Sequence, residues 1–156
     1  METHMTKLTH TLLALSVSAM TLGACATLEE TVAEAVAETR RATLDNAQLV
    51  GMRGDSDGYA RVELTVSDEL DQVCYDLNDT RNLDEITGIS IHRGAYGQNG
   101  PVVLTLRRSN QGGFKSCVSR SEWLEDSMER NPAAYYVQLA TSRYPNGAIR
   151  GQFSRN

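Results

Sequence analysis

The chain has 156 residues, 40% of them hydrophobic and 22% charged, which suffices for one soluble globular domain with a hydrophobic core. Its net charge of −5 argues against nucleic acid as a partner, because binding to phosphate backbones requires a basic surface. The sequence has no apolar run of about twenty residues, the length that a transmembrane helix requires.

The N-terminus has the pattern of a bacterial lipoprotein signal. Lys7 precedes an apolar stretch, Leu12 to Leu22, that is too short to span a membrane. L-G-A-C then ends at Cys25, which resembles a lipobox, although a cleaved signal followed by a chance cysteine is the alternative. Ala26, where an Asp would direct inner-membrane retention, is typical of outer-membrane sorting. We therefore expect a signal peptide over 1–24, a lipidated cysteine, and an outer-membrane lipoprotein of the cell envelope, facing the periplasm or the cell surface.

An acidic segment rich in alanine and glutamate occupies residues 25–41. It contains neither glycine nor proline, so we expect a short helix or a semi-rigid spacer between the anchor and the folded domain. The domain is expected over 42–156, with a first strand within residues 42–51.

A turn is predicted at Arg53–Gly58, R-G-D-S-D-G. Asp55 and Asp57 begin like a calcium-binding loop, but the further acidic ligands of an EF-hand do not follow. We interpret both aspartates as turn residues.

The next two strands are predicted by alternating apolar residues. Tyr59–Val66 directs Ala60, Val62 and Leu64 inward, and Gln72–Leu77 continues the pattern, which places Cys74 on the outer face.

Cys74 and Cys117 form an even pair within the body of the chain, which suggests a disulfide in an exported protein. Neither lies in a CxxC motif or near a histidine cluster, so zinc is disfavoured. We expect the bond to hold the loop of Gly112 and Gly113 on the sheet, to join the two sheet layers, and to contribute about 3–4 kcal/mol to stability.

A strand, a glycine-rich turn and a second strand are predicted over Thr87–Leu106. Residues 89–92 alternate apolar and polar side chains, with Ser90 and His92 on the polar face. On the second strand the apolar face is expected to comprise Val102, Leu104 and Leu106.

One short helix is expected near 120–130. Ser119, with a glutamate three positions later, resembles the first residue of a capping box. Leu124 and Met128 share one helix face, and we interpret the neighbouring Trp123 as a lid over the core rather than as a platform for a ligand.

Pro132 is expected to end this helix, and a second strand–turn–strand unit follows over residues 134–153. Its turn is Pro145-Asn146-Gly147. Its first strand is expected to direct Tyr135, Val137 and Leu139 to one face and Tyr136, Gln138 and Ala140 to the other. About seven short strands with one helix predict an all-β protein, an antiparallel β-sandwich.

Two of these segments resemble the hallmark segments of the CHRD domain family. They are I-S-I-H-R-G-A-Y-G-Q-N-G-P-V-V-L-T-L at 89–106 and Y-Y-V-Q-L-A-T-S-R-Y-P-N-G-A-I-R-G-Q-F at 135–153. The resemblance extends over about 42–153. It implies a Greek-key β-sandwich distantly like copper/zinc superoxide dismutase, and it supports the pairing of Cys74 with Cys117.

The chain departs from the family's usual His-Ile-His-x-Gly and Tyr-Val-Asn-Val-His-Thr. Ser90 replaces the first histidine, Gln138 the asparagine and Ala140 the last histidine, so only His92 remains on the polar face that these strands would share. A copper or zinc centre needs about three or four ligands. We therefore expect neither a metal site nor another cofactor.

Catalytic groups are also hard to assemble from this sequence. Ser90 and His92 lie two positions apart on one strand, about 7 Å, which we expect to prevent direct proton transfer. His92 is interpreted as a strand residue hydrogen-bonded to a neighbouring loop. Arg150 could bind a carboxylate ligand, but we favour a structural role in which it donates to loop carbonyls or to an acidic side chain. No phosphate-binding glycine motif precedes a helix, so nucleotides are not expected.

The candidate functional face comprises Ser90, His92, Gln138 and Arg150. The expected function is that of a non-catalytic, lipid-anchored envelope protein that binds an envelope protein or a glycan or has a structural role. The alternatives are a degenerate metal-binding or redox module that uses His92, and a small-ligand pocket over Trp123 and the tyrosines.

Overall fold

The computed structural model describes residues 38–67, 70–119 and 122–154. The predicted lipobox with Cys25, and the tether up to residue 37, lie outside the described residues. Within the described ranges are one α-helix, α1 (Glu122–Arg130), two short 3-10 turns and eight strands. The strands are β1 (Glu38–Leu44), β2 (Tyr59–Ser67), β3 (Gln72–Arg81), β4 (Ile86–Arg93), β5 (Val102–Leu106), β6 (Lys115–Ser119), β7 (Tyr135–Thr141) and β8 (Ile149–Gln152).

The strands form two antiparallel sheets of four strands each. Sheet A has the order β1-β2-β3-β6, and sheet B has the order β5-β4-β7-β8. β3 and β6 are neighbours in sheet A, while the two strands between them in sequence form a hairpin in sheet B, as in a Greek key. The prediction of an all-β antiparallel sandwich is confirmed.

Alternating side chains build the core between the sheets. In β2, Ala60, Val62, Leu64 and Val66 are all buried, as predicted. β7 likewise buries Val137 and Leu139, and Leu124 and Met128 of α1 are fully buried in the same cluster. The helix therefore closes part of the core with the face that its i, i+4 spacing predicts.

The first strand begins at Glu38 rather than near Ala42, because β1 pairs with β2 along its whole length, from Glu38 opposite Val66 to Leu44 opposite Ala60. The end of the segment expected to be a tether thus belongs to sheet A.

The prediction that Val102 lies on the apolar face was wrong. A register shift pairs Ile91 with Leu104 but His92 with Val102, so β5 contains one extra residue at this point. Such a bulge reverses the faces of the residues beyond it. Val102 consequently lies beside His92 on the outer face, with 53% of its surface exposed, while Leu106 is buried.

One detail of the predicted helix was also wrong. Ser119 is the last residue of β6, paired with Gln72, so it does not cap a helix that begins at Glu122. Trp123 is 46% exposed. It directly precedes Leu124, about 100° away around the helix, so it lies to one side of the fully buried face. The helix ends at Arg130, before Pro132, as predicted.

The disulfide between Cys74 and Cys117 is present, with the two Cα atoms 3.9 Å apart. The cysteines are directly opposite each other on β3 and β6, on the outer face of sheet A. The expectation that the bond joins the two layers was therefore wrong, because it lies within one sheet. It fixes the edge strand β6 itself rather than the loop of Gly112 and Gly113 before it.

Candidate functional site

The four predicted residues of the functional face lie together on the outer side of sheet B. Ser90 of β4 pairs with Gln138 of β7, which in turn pairs with Arg150 of β8. His92 is the next outward residue of β4 and lies opposite Tyr136 of β7. Antiparallel register thus places these side chains in adjacent rows.

His92 is fixed by a hydrogen bond at each ring nitrogen. Its Nδ1 lies 2.9 Å from the carbonyl oxygen of Gly100, and its Nε2 lies 2.8 Å from Ser90 Oγ. Because a carbonyl only accepts, Nδ1 carries the proton, and in the neutral ring Nε2 accepts from the serine hydroxyl. The bond to Gly100 confirms that His92 is hydrogen-bonded to a neighbouring loop.

The expectation that Ser90 and His92 are too far apart for direct contact was wrong. The rise of the strand separates the two Cα atoms, but the imidazole extends along the sheet, so its far nitrogen reaches the hydroxyl. Ser90 is half-buried, and its hydroxyl is occupied by this bond.

Tyr136 is a central residue of the site that the sequence pattern did not single out. Its ring stacks on His92 with centroids 4.7 Å apart and planes 11° from parallel. The Arg150 guanidinium also stacks on the Tyr136 ring, with its central carbon 3.4 Å from the ring centroid. Although Tyr136 is on the outer face, it is only 2% exposed because both neighbours cover it. The sequence did contain one signal for this role, because an aromatic residue stands on the face of β7 that the alternation assigns to solvent.

Arg150 is 1% exposed and directs its guanidinium into the loop between β4 and β5, residues 94–100, here called the display loop. Its Nη2 donates to the carbonyl oxygens of Ala95 and Gln98, at 3.3 and 2.9 Å, and its Nη1 donates to Asn99 Oδ1 at 3.3 Å. The prediction that Arg150 has a structural role, in which it donates to loop carbonyls, is confirmed. Burial lowers the pKa of Arg150, and the phenols of Tyr136 and Tyr96 oppose that effect.

Three further contacts hold the display loop on the sheet. The Gly100 amide donates to the Tyr136 hydroxyl at 3.1 Å, and a Cβ at Gly100 would overlap the Arg93 carbonyl, so the close approach requires glycine. Gln152, which the sequence analysis missed, donates through Nε2 to the Gly94 carbonyl at 2.8 Å. Asn99 Nδ2 donates to the Val50 carbonyl at 3.2 Å.

Gln138 has the same kind of role in the loop between β7 and β8. Its Nε2 donates to the carbonyl oxygen of Asn146 at 2.8 Å. The polar side chains of the candidate face therefore hold two loops in place.

The display loop itself faces solvent. Tyr96 is 70% exposed, and Ala95, Gln98 and Asn99 are exposed beside it. The result is a loop whose backbone is held from beneath, with the Asn99 amide bound to Arg150 and Val50, while the Tyr96 ring and Gln98 are exposed. An exposed aromatic ring with an amide neighbour is suited to contact with a polar partner surface.

Among the residues that the structure describes, no group of three or more His, Cys, Asp or Glu side chains is arranged to hold a metal ion. In the same ranges, no helix has the length and apolar character needed to cross a membrane.

Comparison with known proteins gives one family match: the family described as CHRD domain matches residues 40–153. No curated protein and no solved structure matches the chain.

Proposed function

The chain belongs to the CHRD domain family, and we propose that it is a non-catalytic module of the cell envelope that presents the display loop to a protein or glycan partner. The observation that carries this proposal is the use of Arg150. A fully buried cation donates to two loop carbonyls and an amide oxygen, so its charge serves to hold an exposed loop.

The contacts of the other polar residues support the same function. Ser90 Oγ and His92 Nε2 lie 2.8 Å apart, a distance at which a nucleophile and its base can also meet. In this chain the pair is built into the support of the display loop, because Tyr136 stacks on the imidazole and the Gly100 carbonyl accepts from Nδ1. Because the loop is already ordered, binding a partner costs less conformational entropy, which favours recognition.

The partner contact is tested by placing a photo-crosslinking residue at Tyr96 in intact cells. A matched probe at Asp84, exposed in the loop between β3 and β4 at the other end of β4 from the display loop, is the control. We expect a discrete adduct from position 96 that is absent from position 84. Identical patterns at the two positions, or no adduct at 96, would contradict the proposal.

We further propose that the module is attached to the outer membrane through lipid on Cys25. A tethered sandwich would keep the display loop close to envelope partners and raise their effective concentration. Metabolic labelling with an alkynyl palmitate should mark the wild-type chain and leave Cys25→Ala unlabelled. An unlabelled wild-type chain in a bacterial host would exclude the anchor while leaving the loop proposal open to its own test.

A further inference from the structure

Charge is distributed very unevenly along this acidic chain. Residues 86–119 contain no Asp or Glu but four basic residues, and residues 130–156 also contain no acid and four arginines. All four strands of sheet B fall within these two ranges. The net charge of −5 therefore arises elsewhere, and apart from Arg130, which follows Glu129, the cations of these two segments have no acidic residue next to them in sequence.

Three of these cations line a hollow at the end of sheet B opposite the display loop. This basic hollow has a volume of about 650 Å³ and is formed by residues 107–112 with Lys115 and Ser116. Arg107, Arg108 and Lys115 supply three positive charges, and hydroxyl and amide side chains supply further donors. Its lining includes no carboxylate.

The backbone of the basic hollow is held in place. The hydroxyl of Tyr75 lies 2.9 Å from the amide nitrogen and 3.0 Å from the carbonyl oxygen of Arg107. The Ser109 amide donates to the Gly113 carbonyl at 2.9 Å, and the Ser109 hydroxyl donates to the Gly112 carbonyl at 2.7 Å. A ligand would therefore meet a formed turn, which reduces the cost of ordering it.

The two arginines are the available charges. Lys115 Nζ lies 2.7 Å from Asp76 Oδ2, and this carboxylate raises the pKa of the lysine. Arg108 donates to the Ile86 carbonyl at 2.9 Å and lies over the Phe114 ring, so it is oriented without being neutralised. Neither Arg107 nor Arg108 forms an ion pair with a carboxylate of the described residues.

We propose that the basic hollow binds a phosphate group. Guanidinium groups match phosphate oxygens through paired N–H donors, and two unneutralised arginines with a nearby ammonium balance its double negative charge. The site is independent of the display loop, since it lies at the other end of the β4–β5 hairpin.

The first experiment titrates the ¹⁵N-labelled full chain with inorganic phosphate at constant ionic strength, with acetate as the comparison anion. We expect phosphate to shift the amide signals of residues 107–116 selectively. Arg107→Gln should weaken the affinity about tenfold or more, because a charge-assisted hydrogen bond is lost. Arg143→Gln removes the same charge from an exposed arginine outside the hollow and should change the affinity by less than about twofold.

The second experiment identifies the source of the phosphate. The full chain carrying Cys25→Ser, which cannot be lipidated, is sedimented with vesicles of phosphatidylglycerol or of phosphatidylcholine. Selective binding to phosphatidylglycerol that Arg107→Gln abolishes would support the site and assign a lipid headgroup. Phosphate-induced shifts without vesicle binding would support the site and assign a soluble phosphate compound. Equal effects of the two variants, or the absence of both phosphate shifts and vesicle binding, would overturn the proposal.

Discussion

Arg150 is a buried cation whose hydrogen-bond acceptors are uncharged oxygens, three of them in the display loop and one on Gln152. A buried guanidinium is costly to desolvate, and hydrogen bonds must compensate for that cost. Here the planar fork spans Ala95, Gln98 and Asn99 while its face rests on Tyr136. Arg150 thus contributes both to the position of the loop and to the cover over the Tyr136 ring.

Replacing Arg150 with lysine should lower the free energy of unfolding by about 2–4 kcal/mol, since an ammonium keeps the charge but loses the fork and the stacking. Urea denaturation measures the change. Arg143→Lys, an exposed arginine, should stay within about 0.5 kcal/mol of the wild type. A small effect of Arg150→Lys would mean that the loop is held mainly by its other contacts.

Asp55 is the second residue whose environment has a measurable consequence. It is 7% exposed, and burial raises the pKa of its carboxyl above the ordinary value of 3.8, with Asp57 contributing in the same direction through a hydrogen bond. The folded state then binds more protons than the unfolded state between the ordinary pKa and the raised one. Stability therefore falls as the pH rises through that window.

Asp55→Asn removes this dependence, and its amide oxygen can still accept from the backbone N–H groups of Asp57 and Gly58. The free energy of unfolding of the wild type, relative to that of the variant, should be lower at pH 7 than at pH 4. Urea denaturation at the two pH values measures it. A relative stability that rises with pH would contradict the assignment.

At the scale of the elements, β6 is the strand most dependent on a covalent bond. It is an edge strand of five residues paired only with β3, and its side chains are mostly exposed. The disulfide crosses this pair at its centre, where Cys74 opposes Cys117. The bond therefore ties together two strands whose 43-residue separation includes the whole β4–β5 hairpin.

The double variant Cys74→Ser/Cys117→Ser should lose about 3–4 kcal/mol of stability, because the 43-residue loop is no longer closed in the unfolded chain. Amide exchange over residues 115–119 should accelerate most, as that strand has little other packing. A reductant should destabilise the wild type similarly and leave the double variant unchanged. An unaltered unfolding midpoint in the double variant would count against this role.

At the scale of the whole molecule, the sandwich is closed along one side by contact between the two sheets. At this side Asp45, the residue after β1, exchanges reciprocal backbone hydrogen bonds of 3.0 Å with Arg150 of β8, and Arg41 of β1 forms a bridge with Ser154, which follows β8. Gly151 lies at this junction, and a Cβ there would overlap the Thr43 carbonyl oxygen.

Gly151→Ala should therefore destabilise the domain by about 1–3 kcal/mol, since the backbone bonds on either side prevent the strands from separating. Gly88→Ala is the matched control, because no atom lies within 4 Å of a Cβ at that position on β4. The control should change stability by less than about 0.5 kcal/mol. Comparable thermal midpoints for the two variants would show that the junction is loose.

Sequence alone determined the architecture and much of the core. Alternation in β2 and β7 assigned each side chain to a face, because the period of two is a local property of an extended chain. Cysteine counting identified Cys74 and Cys117, and the i, i+4 spacing identified the buried face of α1. The resemblance to the CHRD family rested on two contiguous segments, and the match over residues 40–153 confirmed it.

How these faces are used follows from contacts between distant parts of the chain. The bulge that exposes Val102 depends on the pairing of β4 with β5, and the exposure of Trp123 depends on how α1 lies on the core. The stack of Arg150, Tyr136 and His92 joins three strands, and the arginine reaches a loop 55 residues away in sequence. Periodicity reports the face of a residue but not its cross-strand neighbour, because register and loop packing are set by contacts between distant parts of the chain.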